Sequence, residues 1–323
     1  MMKNFRFLIL FMILSFTLPY TYGGCGGGGG GSSDSGLVYS GLTTSAALTD
    51  ANAEDISGGA LGAGLIGDGM MGLSVNQGSG SYHIKNMRSV QVPQILSDSL
   101  DLIDFTSASP GGMNAAVQND SDTIPDGCGG SMSYSVSYDS ATGIFSGSFT
   151  FVNYGCDGTT ISGGARFSGI INPSNSEFIE ASFSFDNLSG GDLTLDGDLT
   201  IDYTVIPHEI TFSAYGQDPN SGKIFWIDNY SITIDEYAGY VEIEMSGRFF
   251  HPDHGFVTLS TDQIFVLYDG DDWPASGILI VTGANNSKVK LTANDNVTCS
   301  VAVDADGDDA YEWTSGLMNW VDL

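Results

Sequence analysis

From Gly130 onward the chain alternates apolar and small polar residues with a period of two. Met132, Tyr134, Val136 and Tyr138 are interleaved with Ser131, Ser133, Ser135 and Ser137. Phe145, Phe149 and Phe151 resume the pattern, as do Leu193, Leu195, Leu199, Ile201, Tyr203 and Val205. Ile232 and Ile234, then Val241, Ile243 and Met245, repeat it again. A period of two places every apolar side chain on one face of a strand. Turn signals punctuate the runs: Asn172-Pro173, Ser189-Gly190-Gly191, Asp218-Pro219-Asn220, Tyr237-Ala238-Gly239, Asp269-Gly270 and Asp306-Gly307. Links this short join antiparallel strands. The expected fold is therefore mainly β: about twelve strands in an antiparallel meander, forming a curved sheet, a sandwich or a half-barrel.

The segment from 37 to about 125 reads differently. Thr49 precedes Asp50-Ala51-Asn52-Ala53-Glu54-Asp55-Ile56, the signature of an N-cap and an acidic first turn. A short helix is expected there, ending at Gly58-Gly59, with a loose Gly- and Met-rich stretch beyond it. Val92, Ile95, Leu96, Leu100 and Ile103 recur at helical spacing, which predicts a second helix. The organisation expected is a leader over 1–24, a tether over 25–36, a segment with two short helices over 37–125, and a β domain over 126–323. Three stretches share one pattern: Phe149-x-Phe151-x-Asn153-Tyr154, Phe183-x-Phe185-x-Asn187-Leu188 and Phe225-x-Ile227-x-Asn229-Tyr230. A two-strand repeat would produce it, and so would coincidence among aromatic-rich strands.

The first residues bear on compartment. Lys3 and Arg6 precede the apolar run Phe7 to Leu18, about the length of a signal-peptide core and short of the roughly 20 residues needed to span a bilayer. Tyr22-Gly23-Gly24-Cys25 follows and resembles the lipobox of bacterial lipoproteins, except that an aromatic stands three residues before the cysteine. The resemblance implies lipid on Cys25. Gly26 in the next position, where Asp marks inner-membrane retention in that family, points to the outer membrane. Gly26 to Gly31 and Ser32-Ser33-Asp34-Ser35-Gly36 then read as a flexible leash.

Removing Lys3 and Arg6 from the 9 basic residues leaves 7 against 39 acidic ones, a net charge of −32. Such a field repels phosphate backbones and excludes nucleic acid as a partner. It favours divalent cations. The 41% hydrophobic content still supports a packed core. Four cysteines are present: Cys25, Cys128, Cys156 and Cys299. An exported protein can form disulfides. Cys128 and Cys156 bracket a hairpin centred on the turn Asp139-Ser140-Ala141-Thr142-Gly143, so they are the expected pair. The alternative is three small buried thiols.

Candidate chemistry is sparse. Asp304, Asp306, Asp308 and Glu312 put oxygens at alternating positions around Gly307, the arrangement that can converge on Ca²⁺. The plainer reading is an acidic hairpin turn between Val301–Val303 and Tyr311–Trp313. Asp269-Gly270-Asp271-Asp272 is a second acidic turn. His251-Pro252-Asp253-His254 packs three ligand types into four residues, and His83 or His208 could add to a metal site. A solvated turn is the plainer expectation. Gly62-Ala63-Gly64-Leu65-Ile66-Gly67 matches a dinucleotide fingerprint but lacks the βαβ context, so it reads as structural. No GxSxG, HExxH, Walker or CxxC sequence occurs.

Beyond the lipobox, the chain resembles envelope lipoproteins of Gram-negative bacteria. The resemblance rests on Cys25 with its poly-Gly tether, on Gly36-Leu37-Val38-Tyr39-Ser40-Gly41 and Leu48-Thr49-Asp50-Ala51-Asn52-Ala53, on Gly247-Arg248-Phe249-Phe250-His251-Pro252, and on Asp304 to Trp313. It implies no catalytic residues. The function expected is a lipid-anchored, non-enzymatic binding or scaffolding module at the cell envelope, with a protein or glycan partner. A Ca²⁺-dependent hydrolase or glycan-acting enzyme, built around His251 and His254, is the first alternative. A membrane-inserted β-barrel is the second. Against it stands the ending Asn319-Trp320-Val321-Asp322-Leu323, which lacks a terminal aromatic.

Overall fold

A computed structural model of the chain describes residues 36–71, 117–155, 160–172, 178–190, 193–218 and 221–323. Among these, fifteen strands form one antiparallel meander that does not close on itself. In order they are β1 (Val117–Pro125), β2 (Ser131–Asp139), β3 (Ile144–Tyr154), β4 (Ile161–Ile171), β5 (Phe178–Gly190), β6 (Leu193–Asp202), β7 (His208–Gln217) and β8 (Ile224–Tyr237). They continue as β9 (Tyr240–His251), β10 (Gly255–Tyr268), β11 (Ser276–Thr282), β12 (Lys288–Ala293), β13 (Thr298–Asp304), β14 (Trp313–Thr314) and β15 (Met318–Asn319). Each strand through β14 pairs with the next, and β15 returns to pair with β13. The sheet begins at β1, ahead of residue 126. The predicted β2–β3 hairpin is present, with Tyr138 opposite Phe145 and Ser131 opposite Val152.

The alternation read from the sequence becomes two faces. Met132, Phe145, Phe149, Leu199, Ile210, Phe212, Ile232, Ile243 and Met245 are buried on the inner face. The shared Asn motif acquires a geometry. Asn153, Asn187 and Asn229 all adopt positive φ, at 47°, 48° and 51°. Each sits where the pairing slips: between Phe151 and Tyr154 in β3, Phe185 and Leu188 in β5, and Asp228 and Ser231 in β8. Asn tolerates the left-handed region better than other residues with a side chain, which suits it to a β-bulge. Neighbouring strands cap two of the freed backbone groups: Asn153 N–H donates to Ser162 Oγ at 3.0 Å and Asn229 N–H to Ser213 Oγ at 2.9 Å.

Among the described residues one α-helix, α1 (Ala53–Met71), packs against β8, β9, β11, β12 and β13. Its start agrees with the expected capping region: Thr49 O accepts the N–H groups of Asn52 at 3.2 Å and Ala53 at 3.0 Å. Asn52 Oδ1 accepts the Thr49 N–H at 2.9 Å, and its Nδ2 donates to Ala47 O at 3.0 Å. Its end does not agree. The helix continues through Gly58-Gly59, where a stop was expected, and absorbs Gly62 to Gly67. The reason is packing. A Cβ on Gly59 would lie 2.8 Å from the Phe249 ring, and one on Gly64 would lie 2.6 Å from Met245 Sδ. Glycine costs about 1 kcal/mol per residue in a helix, but here it lets the backbone approach the sheet. Ile56, Ala60, Leu61 and Ala63 fill the rest of the interface, and Tyr230 donates to Ala60 O at 3.1 Å. The second helix expected near Val92–Ile103 lies outside the described residues. No described helix is long and apolar enough to cross a membrane.

Residues 36 to 46 form a strap across the outer face. Leu37 N–H donates to Asp196 Oδ2 at 3.2 Å on β6. Tyr39 packs on Trp226 and Phe250, with ring centroids 6.0 and 5.9 Å away, and donates its hydroxyl hydrogen to Leu42 O at 2.8 Å. Leu42 and Ala46 then donate to Pro252 O and Phe256 O. The strap thus fixes the start of α1 beside the β9–β10 hairpin.

Candidate functional site

That hairpin carries His251, Pro252, Asp253 and His254, and it is not the solvated turn expected. His251 ends β9 on the inward face with Phe249, and only 2% of it is exposed. Its ring meets Phe225 edge-on at 5.2 Å and stacks on His254 at 4.5 Å. Both imidazoles aim Nε2 at one carboxylate oxygen, Asp55 Oδ2 in the first turn of α1, at 3.1 Å from His251 and 3.5 Å from His254. His251 Nδ1 accepts the Asp253 N–H at 3.2 Å. In the neutral form of the ring that bond leaves the proton on Nε2, facing Asp55. The hydrogen bond from His251 holds the Asp55 carboxyl below its ordinary range, against the opposing effect of burial. Burial, then the neighbouring His251, holds His254 below the ordinary imidazole range. Lys223 pairs with Asp253 outside the cluster.

Asp55 was not singled out from the sequence as a ligand. It is read there as part of an acidic first helical turn, and nothing local ties it to a hairpin so far along the chain. His83 lies outside the described residues. His208 is directed instead to Val205 O at 3.1 Å and packs on Tyr203.

The predicted acidic cluster does assemble. One ligand oxygen from each of Asp304, Asp306, Asp308 and Glu312 lies within 4.8 Å of the others. Asp304 is fully buried, and its carboxylate accepts the N–H groups of Gly307 at 2.7 Å, Asp308 at 3.2 Å and Asp309 at 2.9 Å. Glu312 closes the loop by accepting the Ala305 N–H at 3.1 Å. The four oxygens fit the carboxylate chemistry of Ca²⁺ at its usual bond lengths of about 2.3–2.6 Å. The same hydrogen bonds also hold the turn as an acidic loop.

Strand register sets these two clusters at one end of the sheet. Thr258 pairs with Thr282, Thr282 with Lys288, and Lys288 with Asp304. At the other end, the hairpin Tyr237-Ala238-Gly239-Tyr240 brings up aromatic side chains. Tyr237 stacks on Tyr240 at 4.8 Å and 11°, and Tyr240 lies 5.9 Å from Tyr268. Tyr237 and Tyr268 are 41% and 50% exposed. Tyr237 donates to Asp235 Oδ2 at 2.8 Å, which pushes its hydroxyl up to about 12. Glu242 pairs across from Asp235, and the acidic turn at Asp269–Asp272 follows Tyr268. No sequence signal marks this row, because only the pairing of β8, β9 and β10 makes neighbours of the three tyrosines.

Of the cysteines, Cys299 is free and buried, and burial pushes its thiol up to about 12. Cys128 is not a free thiol. Cys25 and Cys156 lie outside the described residues. Comparison with protein-family models, with curated proteins and with solved structures gave no match.

Proposed function

We propose that the chain is a lipid-anchored binding module of the cell envelope, held in the outer membrane through Cys25, that presents its far end to a neutral glycan. The observation that carries this reading is the polarity of the molecule. The strap enters beside Asp196, Trp226 and Phe250, whereas the Tyr237–Tyr240–Tyr268 row lies at the opposite end of β8, β9 and β10. Trp226 and Tyr237 are separated along β8 by roughly 35 Å at the usual rise per residue. An anchor at one end leaves the other end facing outward. Aromatic faces offer apolar contact to the C–H faces of sugar rings, and adjacent carboxylates accept their hydroxyl hydrogens. The carboxylates Asp235, Glu242 and Asp269 to Asp272 repel anionic polymers. A soluble, uncharged polysaccharide should therefore retard the full-length protein in affinity electrophoresis. Tyr268→Ala should weaken that retardation by about tenfold, equivalent to about 1.4 kcal/mol. Equal retardation of the wild type and Tyr268→Ala, or none of either, would remove the glycan partner from the proposal.

A further inference from the structure

We propose that Asp55, His251 and His254 form a Zn²⁺ site joining the start of α1 to the β9–β10 hairpin. Two imidazole nitrogens and one carboxylate oxygen make a zinc donor set that leaves a fourth position for water or substrate. The spacing fits. Zinc bonds of about 2.0–2.1 Å in tetrahedral array set ligand atoms about 3.3–3.4 Å apart. Asp55 Oδ2 is 3.1 Å from His251 Nε2 and 3.5 Å from His254 Nε2. One ligand atom of each of the three residues lies within 4.8 Å of those of the other two, so a small inward movement of His254 completes the triangle. The site is also oriented before any ion arrives. His251 is buried between Phe225 and His254, and the half-exposed side chains of Asp55 and His254 leave an approach from solvent.

The cation takes the place of the proton that His251 now shares with Asp55. The ring then carries its proton on Nδ1 and gives up the 3.2 Å bond from Asp253. An imidazolium ring cannot ligate, so protons compete with the metal and affinity falls as the pH falls. The site is independent of the glycan reading, whose tyrosines occupy the opposite end of the sheet. It is also distinct from the Asp304 cluster, whose all-oxygen donors suit a harder ion.

The test uses the full-length protein in mild detergent, stripped with a chelator and titrated with ZnCl₂ at pH 7.5, with CoCl₂ as a spectroscopic stand-in. One Zn²⁺ per chain and the intense visible bands of tetrahedral Co²⁺ are expected. Loss of an outer-sphere partner typically costs about 10- to 100-fold in metal affinity, so loss of a ligand in Asp55→Asn or His254→Ala should weaken zinc by at least about tenfold and abolish the bands. Both replacements are at half-exposed side chains, and a melting curve checks that each variant folds. Asp306→Ala should change neither signal. Unaltered zinc affinity in Asp55→Asn and His254→Ala, or loss of binding in Asp306→Ala alone, would overturn the assignment.

Discussion

At the scale of single residues, the Asp55–His251–His254 contact makes the fold sensitive to acid. His254 is held below the ordinary imidazole range, so the unfolded chain takes up a proton first as the pH falls below about 6.5. Stability is then lost progressively until the folded form also protonates. Asp55 is held low by His251, so its contribution is present above the ordinary carboxylate value near 4 and is lost as the pH falls through its folded value. Both act in the same direction. The melting temperature should fall from pH 7.5 to pH 5, and His254→Asn should flatten that upper part of the decline. An unchanged slope in His254→Asn would mean that other groups control it. The Asp304 turn makes a separate prediction. A bound Ca²⁺ stabilises the folded state by mass action, about 2.7 kcal/mol at one hundred times Kd. Millimolar Ca²⁺ should raise the melting temperature beyond NaCl of matched ionic strength, with the excess absent in Asp306→Ala. Equal shifts in the two salts would leave the cluster as an acidic turn capped by Asp304.

At the scale of elements, helix α1 shows what the sequence could and could not reveal. Its start was legible, because capping and acidic first-turn residues act locally. Its length was not. Glycine normally ends a helix, and only the approach of Phe249 and Met245 from distant strands explains its use at Gly59 and Gly64. Gly64→Ala puts a methyl group against the flexible end of Met245, and Gly59→Ala puts one against a buried aromatic ring. Overpacking of this kind costs about 1–3 kcal/mol. We expect Gly59→Ala to lower the denaturant midpoint although alanine is the better helix former, and more so than Gly64→Ala. A stabilised Gly59→Ala would show that the helix does not press on Phe249. The β2–β3 hairpin carries a second element-scale prediction. Asp126 accepts N–H groups from Cys128 at 2.7 Å and Gly155 at 2.9 Å, which draws the loop holding Cys128 toward the residue preceding Cys156. The Cys128–Cys156 bridge is proposed on that basis, and non-reducing peptide mapping should recover both residues in one linked fragment. Free alkylation of both without reductant would dismiss it.

At the scale of the whole molecule, the meander was legible because its signals repeat locally: alternation fixes the faces and short polar turns fix the antiparallel order. The bulges were half legible. The recurring Asn motif was visible, but its positive φ depends on the strand beside it. The candidate sites were least legible, since Asp55 meets His251 and Tyr237 meets Tyr268 only through the packing of the sheet. The strap and the two side-chain clusters lie at one end of the sheet and the exposed tyrosines at the other, so the proposed anchor on Cys25 would leave the tyrosines facing outward. Ten residues lie between Cys25 and Gly36, so the eleven Cα-to-Cα steps reach at most about 40 Å in an extended chain. That reach would suffice for the proposed lipid on Cys25 to hold the folded module at a membrane surface. The most direct measurement is metabolic labelling of cells with a clickable palmitate analogue, followed by membrane fractionation. The wild type should carry the label and sediment with the outer membrane, while Cys25→Ala should be unlabelled and shift to the soluble fraction. Equal labelling of both proteins, or an unlabelled wild type, would contradict the lipid anchor and the orientation built on it.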